Sequence, residues 1–298
     1  MSAIEWTDAT WNPVVGCSMA RGSETGGCLN CYAARMATRA LWPGEPLARM
    51  TPSGPRWTGR VDLRSDRLDA PLRWRKPRRV FVNSMSDLFH EALPFDAVES
   101  VFRIMVLAER HTFQVLTKRP ERMREFCLNR SRKHSDTVPP NVWLGVSVEN
   151  QKTADERTPL LLQTPAAKRF VSYEPALGTV DLEAAFSVYD KHGEPSGPRC
   201  NKDGSNAVDW VIVGGESGPG ARPCDVAWIR SVVCQCREAG VACFVKQLGA
   251  RPIADWTEWA VLRESGTPVE WSRLRLQHPK GGDPSEWPED LRVREFPR

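Results

Sequence analysis

No long apolar run is present in this sequence. None of its 298 residues belongs to a stretch near the ~18 consecutive apolar positions that a bilayer-spanning helix needs, which excludes a transmembrane helix. The opening Met1-Ser2-Ala3-Ile4-Glu5-Trp6-Thr7-Asp8 lacks the basic and then apolar stretches of a secretory leader, so a cytoplasmic chain is expected. Excess charge is also scarce. Lys and Arg number 41 against 37 Asp and Glu, and a net charge of +4 permits an anionic partner without demanding one. There is no residue-level repeat. With 41% hydrophobic and 26% charged residues, disorder, collagen and coiled coil are excluded as the dominant state. The length suits two domains or one barrel-sized domain with insertions. Nine cysteines, an odd number, point to thiols or metal ligands rather than disulfides in such a chain.

What is present is a succession of short, nearly continuous apolar runs. They are Arg79-Val80-Phe81-Val82-Asn83, Thr112 to Thr117, Val142 to Val148, Arg169 to Tyr173, Trp210 to Val213 and Ala242 to Lys246. Such runs suit strands buried on both faces of a parallel sheet, and the gaps leave room for a helix between each pair. Residues 95–110 carry a helical stripe at Val98, Val101, Phe102, Met105 and Val106, and 225–239 another at Val226, Ile229, Val232 and Val233. One further strand near the first cysteines gives about seven βα units. The expected fold is α/β, a TIM-like full or partial (βα) barrel over 1–250, with an open doubly wound sheet as the alternative. A polar insertion at 186–206 reads as a hairpin or lid, and a Trp- and Pro-rich extension at 251–298 is expected to pack on the barrel.

Polar residues follow each run, where parallel α/β folds bind ligands. They are Asn83, Ser84, Ser86 and Asp87; Lys118 and Arg119; Ser147, Glu149 and Asn150; Glu174; Gly214, Gly215, Glu216 and Ser217; and Lys246 with Gln247. Any one of them could equally start a loop or cap a helix.

The strongest chemical signal lies nearer the N-terminus. Cys17 is followed after ten residues by Cys28-Leu29-Asn30-Cys31, and the intervening loop contains Gly22, Gly26 and Gly27. A CxxC pair with a third thiol brought back by a loop can converge on one metal centre. Zinc usually wants a fourth protein ligand, which His90 or Cys127 would have to supply from a distance. Three thiolates alone suit a [4Fe–4S] cluster with one iron open to an exogenous ligand. Cys224, Cys234, Cys236 and Cys243 read as structural thiols, because Cys234 and Cys236, two apart on a helix, face different ways. The basic run Arg73-Trp74-Arg75-Lys76-Pro77-Arg78-Arg79 mixes cations with an aromatic. It precedes a strand, away from the expected site, and reads first as a solvated face. The glycine-rich Gly214-Gly215-Glu216-Ser217-Gly218-Pro219-Gly220 is no dinucleotide fingerprint, since Pro219 breaks any helix start there.

Taken together, Trp11-Asn12-Pro13-Val14-Val15-Gly16-Cys17, Gly27 to Ala33, Phe81 to Phe89 and Leu116-Thr117-Lys118-Arg119-Pro120 resemble a phage-associated family assigned to the radical S-adenosylmethionine (SAM) superfamily and distantly similar to spore photoproduct lyase. Gly145 to Asn150, Ser172-Tyr173-Glu174-Pro175, Val213 to Gly218 and Val245-Lys246-Gln247 continue the match, over residues 5 to about 250. The resemblance implies a radical SAM barrel in which Cys17, Cys28 and Cys31 hold a [4Fe–4S] cluster. Reductive cleavage of SAM then yields a 5′-deoxyadenosyl radical, with an external flavodoxin- or ferredoxin-type electron donor. It implies SAM contacts at Ser84, Ser86, Asp87, Ser147, Glu149, Asn150, Gly214, Gly215 and Glu216. Substrate contacts are expected at Lys118, Arg119, Glu174 and Lys246, with DNA, RNA or a nucleotide as substrate. One departure stands out: the superfamily's cysteines are usually spaced by three and two residues, and here by ten and two. The alternatives are a zinc-stabilised nucleic-acid-binding module without catalysis, and a barrel hydrolase using Glu149 and Glu174 as paired carboxylates.

Overall fold

The computed structural model describes residues 4–23, 26–39, 44–133, 139–189, 195–198, 207–253 and 276–297. Seven strands form its main sheet: β1 (Ala9–Trp11), β2 (Arg79–Val82), β3 (Thr112–Thr117), β4 (Val142–Val148), β5 (Lys168–Tyr173), β6 (Trp210–Gly214) and β7 (Ala242–Gln247). Their hydrogen-bonded order is β1-β2-β3-β4-β5-β6-β7, with β1 and β7 at its two ends. The pairs β1–β2, β2–β3, β3–β4 and β6–β7 run parallel, in registers such as Phe81 with Gln114 and Ile212 with Phe244. The fold is thus mixed α/β, with strands added in chain order. The apolar runs explain this, since Val80, Val82, Val115, Leu144, Val146 and Val211 to Val213 are wholly buried.

Contacts divide the chain into two compact units, residues 1–147 with 157–170, and 148–156 with 171–298. In the first, α1 (Tyr32–Ala37) follows the cysteine loop, and the hairpin Ala48–Thr51 with Gly54–Trp57 comes next. Helix α2 (Phe95–Leu107) begins after Pro94 with Asp96 in its first turn, a favourable place for a negative charge. It buries Val98, Val101, Phe102 and Met105, but Val106 of the expected stripe is 40% exposed, because the stripe is narrower than the run of apolar letters. Helix α3 (Pro120–Lys133) opens on a proline, whose missing N–H costs nothing at a first turn. Helix α4 (Gln151–Leu162) follows β4.

In the second unit, α5 (Val226–Glu238) is capped by Asp225, whose carboxylate accepts from the Ala227 amide at 2.8 Å. Cys236 lies on its buried face and Cys234 is half-buried. The extension returns along the outer edge of β7. Val245 donates to the Val293 carbonyl at 2.8 Å and Glu295 to the Cys243 carbonyl at 2.8 Å, which covers an otherwise unpaired edge. Within the insertion, Ser187–Tyr189 and Pro195–Pro198 pair antiparallel, as a hairpin would, while most of 186–206 lies outside the described residues. Among the described residues no helix is long and apolar enough to cross a membrane.

Candidate functional site: a three-thiol loop and the strand ends

The cysteine loop is held by its backbone. Gly16 sits at φ +89°, and a Cβ placed there would lie 2.1 Å from the Arg60 carbonyl oxygen, so only glycine fits. Its amide donates to the Met85 carbonyl at 3.1 Å, and Gly59 donates to the Cys17 carbonyl at 3.2 Å. Arg56 reaches the Leu29 carbonyl at 3.0 Å inside the CxxC segment. The Tyr32 hydroxyl, one residue after Cys31, donates to the Ser84 carbonyl at 2.9 Å, which ties α1 to the end of β2.

Cys17, Cys28 and Cys31 are half-buried free thiols. They are near enough to feel one another electrostatically: Cys28 and Cys31 each act on Cys17, and Cys28 acts on Cys31. Burial pushes the Cys17 thiol up to about 12, with Asp87 adding to the rise and Arg119 opposing it. Burial also raises Cys31, against the pull of the Ala34 and Ala33 amides. Among the described residues no three His, Cys, Asp or Glu side chains are grouped as a single-ion site. One tetrahedral zinc would draw its sulfurs to roughly 4 Å apart, given a Zn–S bond of ~2.3 Å.

Behind Cys17 lies a buried charge network. The Arg119 guanidinium is 5% exposed. It meets Asp87 at 3.1 Å, Glu91 at 2.8 and 2.9 Å, the Ser18 hydroxyl at 2.9 Å and carbonyl at 3.3 Å, and Cys17 Sγ at 3.9 Å. Burial works against its charge, yet Asp87, Cys17 and Glu91 together hold its pKa above the ordinary value. Asp87 in turn accepts from the Thr117 hydroxyl at 2.7 Å and from the Phe89, Lys118 and Arg119 N–H groups at 3.0, 3.0 and 3.1 Å. Both residues were expected to meet ligands, Asp87 SAM and Arg119 an anionic substrate. The structure joins them to each other, and Arg119 to the cysteine loop through Ser18.

His90 completes this shell. Its Nδ1 accepts from the Ala92 amide at 3.1 Å, so the proton resides on Nε2, which donates to Ser18 Oγ at 2.8 Å. Burial, then Arg119, lowers its pKa. With both ring nitrogens engaged, His90 does not suit a fourth zinc ligand. Cys127 is buried on α3, where burial pushes its thiol up to about 12.

The end of β2 is unusual. Asn83 is the one non-glycine residue with positive φ, at 61°, among the described residues. Its Oδ1 accepts from the Val14 amide at 3.2 Å, while Nδ2 is buried without a hydrogen-bond partner. Ser84 donates to Asn12 Oδ1 at 3.2 Å and Ser86 to the Val14 carbonyl at 2.9 Å, which leaves the lone pairs of both hydroxyls available. Asn83 was named among the strand-end polar residues but given no SAM or substrate role; an Asn ending a strand gives no sign of a left-handed backbone. Ser147 at the end of β4 is buried, and its carbonyl accepts from Arg157 at 2.7 Å; Arg157 also donates to Ser23 Oγ at 2.7 Å.

In the second unit the expected SAM and substrate residues are tied together more than they are presented. Asn150 caps α4 through the Thr153 amide at 3.0 Å, and Thr153 Oγ1 accepts from the Glu149 and Asn150 amides. Glu149 is wholly buried. Glu216 takes a bidentate grip on Arg222, at 2.9 and 2.6 Å. Glu174 pairs with Lys246 at 2.9 Å, which answers a cation expected to face substrate. A Cβ on Gly214 would come within 2.8 Å of Glu174 Oε1, and one on Gly215 within 2.4 Å of the Leu248 carbonyl. Those glycines are therefore required by the chain's own packing.

Residues 1–270 match the model of a family described as a protein of unknown function (DUF5131), and the chain belongs to that family. No curated protein matches it, and no solved structure does.

Proposed function

We propose that this family member is a radical SAM enzyme in which Cys17, Cys28 and Cys31 hold a [4Fe–4S] cluster, acting on a nucleic acid or nucleotide within a TIM-like partial barrel. The observation that carries this reading is the mutual electrostatic reach of three half-buried thiols on a loop that Gly16 locks against Arg60. The donor set suits the group: three sulfurs, with His90 engaged elsewhere and no further His, Cys, Asp or Glu grouped with them among the described residues. Seven strands in sequential order, parallel in the pairs given above, support the barrel.

The chemistry such a cluster supplies when bound is one-electron reduction of a sulfonium. The chain's own work is positional. Arg119 pins Ser18 and sets a positive charge beside Cys17, offsetting part of the negative charge that three thiolates bring. Asp87 and Glu91 hold Arg119 in that position. Ser84 and Ser86, with free lone pairs, suit the ammonium of an amino-acid ligand, and the orphaned Nδ2 of Asn83 suits a carboxylate.

Anaerobic purification with iron and sulfide analysis tests the reading. The native protein should bind about four irons with absorbance near 400 nm and cleave SAM under reduction, while Cys17→Ala, Cys28→Ala and Cys31→Ala should do neither. Cys234→Ala should keep the full cluster. A Cys31→Ala protein with undiminished iron and sulfide would overturn the assignment.

A further inference from the structure

The strand-end cations expected to grip an anionic substrate are largely answered from within. Arg119 is buried against Asp87 and Glu91, and Lys246 is paired with Glu174. The first unit carries a group of unanswered positive charges elsewhere, where β2 and β3 begin. Arg75, Lys76, Arg78 and Arg110 are all exposed there, and none forms an ion pair among the described residues. Their neighbours Arg73 and Arg79 have acidic partners, Asp69 and Asp8.

This basic segment is anchored. The Arg78 guanidinium lies 5.0 Å from the centre of the Trp74 ring, and that ring meets His111 edge-on at 5.6 Å. His111 Nε2 donates to the Pro71 carbonyl at 3.1 Å, and the Thr112 amide donates to the Arg78 carbonyl at 2.9 Å. Arg78 and Arg110 both act electrostatically on the His111 ring, so cations from the two strand starts share one patch. An anchored set of cations loses less side-chain freedom on gripping a polyanion than a loose tail would.

We propose that Arg75, Lys76, Arg78 and Arg110 form a docking face for the phosphate backbone of a nucleic acid, so that the substrate is a polymer rather than a mononucleotide. From Arg78 to Asn83, five residues of strand at ~3.3 Å each span roughly 17 Å, or about five steps of a DNA strand. A single nucleotide is too short to span that length, whereas an oligonucleotide of more than about five steps is not. The inference rests on the nucleic-acid part of the proposed function, but the binding it describes needs no cluster.

The test is fluorescence anisotropy of a labelled oligonucleotide across a salt series, with a mononucleotide as competitor. Arg75→Ala/Lys76→Ala/Arg78→Ala should flatten the slope of log K against log salt by about 2–3, since each phosphate contact contributes ~0.7–0.9. Arg75→Lys/Arg78→Lys should keep the native slope. Cys28→Ala should bind like the native protein, and the mononucleotide should not compete. A native protein that fails to bind, a triple variant with the native slope, or polyglutamate competing as well as unlabelled oligonucleotide would each overturn the docking face. SAM cleavage without oligonucleotide binding would sink this inference alone. Binding by a protein that takes up no iron would sink the cluster assignment alone.

Discussion

Replacing Arg119 with Met, Asp87 with Asn, and then both together, measures how the cysteine loop is held. The two side chains are 6% and 8% exposed and meet at 3.1 Å, so neither charge can turn to water if the other is removed. Breaking such a pair costs about 3–5 kcal/mol. The lower end applies to Arg119→Met, because Asp87 keeps the Thr117 hydroxyl and the Phe89 and Lys118 amides. The lost contact with Glu91 adds little, as that carboxylate is 62% exposed and a pair so wet is worth ~1 kcal/mol or less. Asp87→Asn leaves Arg119 with Ser18 and Glu91, but its amide must turn N–H groups toward the Lys118 amide or the Thr117 hydroxyl, for a cost of about 3 kcal/mol. The double variant should therefore fall well short of the sum, by about 2 kcal/mol of coupling. Urea unfolding of reduced, metal-free protein reads all three. The coupling should persist in moderate salt, since buried charges are poorly screened. Additivity within about 0.5 kcal/mol would refute a buried network, as would single variants costing under ~1 kcal/mol.

Two further outcomes follow from the same shell. Gly16→Ala forces a side chain toward the Arg60 carbonyl from a left-handed backbone; it should cost more than the ~1–2 kcal/mol of that conformation alone and lower iron uptake, with thermal melting and iron analysis as the checks. His90 and His111 both have lowered pKa values, chiefly through burial. In the unfolded chain they charge first, so the stability they contribute is complete above about pH 6.5 and lost as pH falls below it. Melting temperatures from pH 7.5 down to 5.5 should decline, and less steeply in His90→Asn; a flat native profile in that window would count against two buried neutral imidazoles.

Strand positions were legible because burial on both faces of a parallel sheet needs unbroken apolar letters, and the runs from Val80, Phe113, Val142, Phe170, Val211 and Cys243 supply them. Helix faces were legible for the same reason, with Val106 the exception. The site was half legible. A CxxC pair with a third cysteine ten residues before it announces itself, and the structure brings the three within electrostatic reach of one another. The partners that the strand-end polar residues have within the chain were not legible. Asp87 meeting a ligand and Asp87 holding Arg119 are the same letter at the same place. The difference lies in a partner 32 positions away in the chain, which spacing rules cannot pair. The left-handed backbone of Asn83 was illegible for a related reason, since positive φ is a property of its surroundings.

The charge balance around Cys17 explains why so much of the strand end serves the loop. Three thiolates cannot be gathered in a half-buried place without a countercharge, and Arg119 supplies one. A lone guanidinium is itself costly to bury, so it comes with Asp87 and Glu91. Burial is the main reason the Cys17 thiol is pushed up to about 12, with Asp87 adding to the rise and Arg119 opposing it, so the thiol is protonated at neutral pH. A metal centre held by Cys17, as proposed, would have to displace that proton on binding. In the proposed centre Asp87 and Arg119 would act through the loop, Arg119 by holding Ser18 and by setting a positive charge beside Cys17, and Asp87 by holding Arg119.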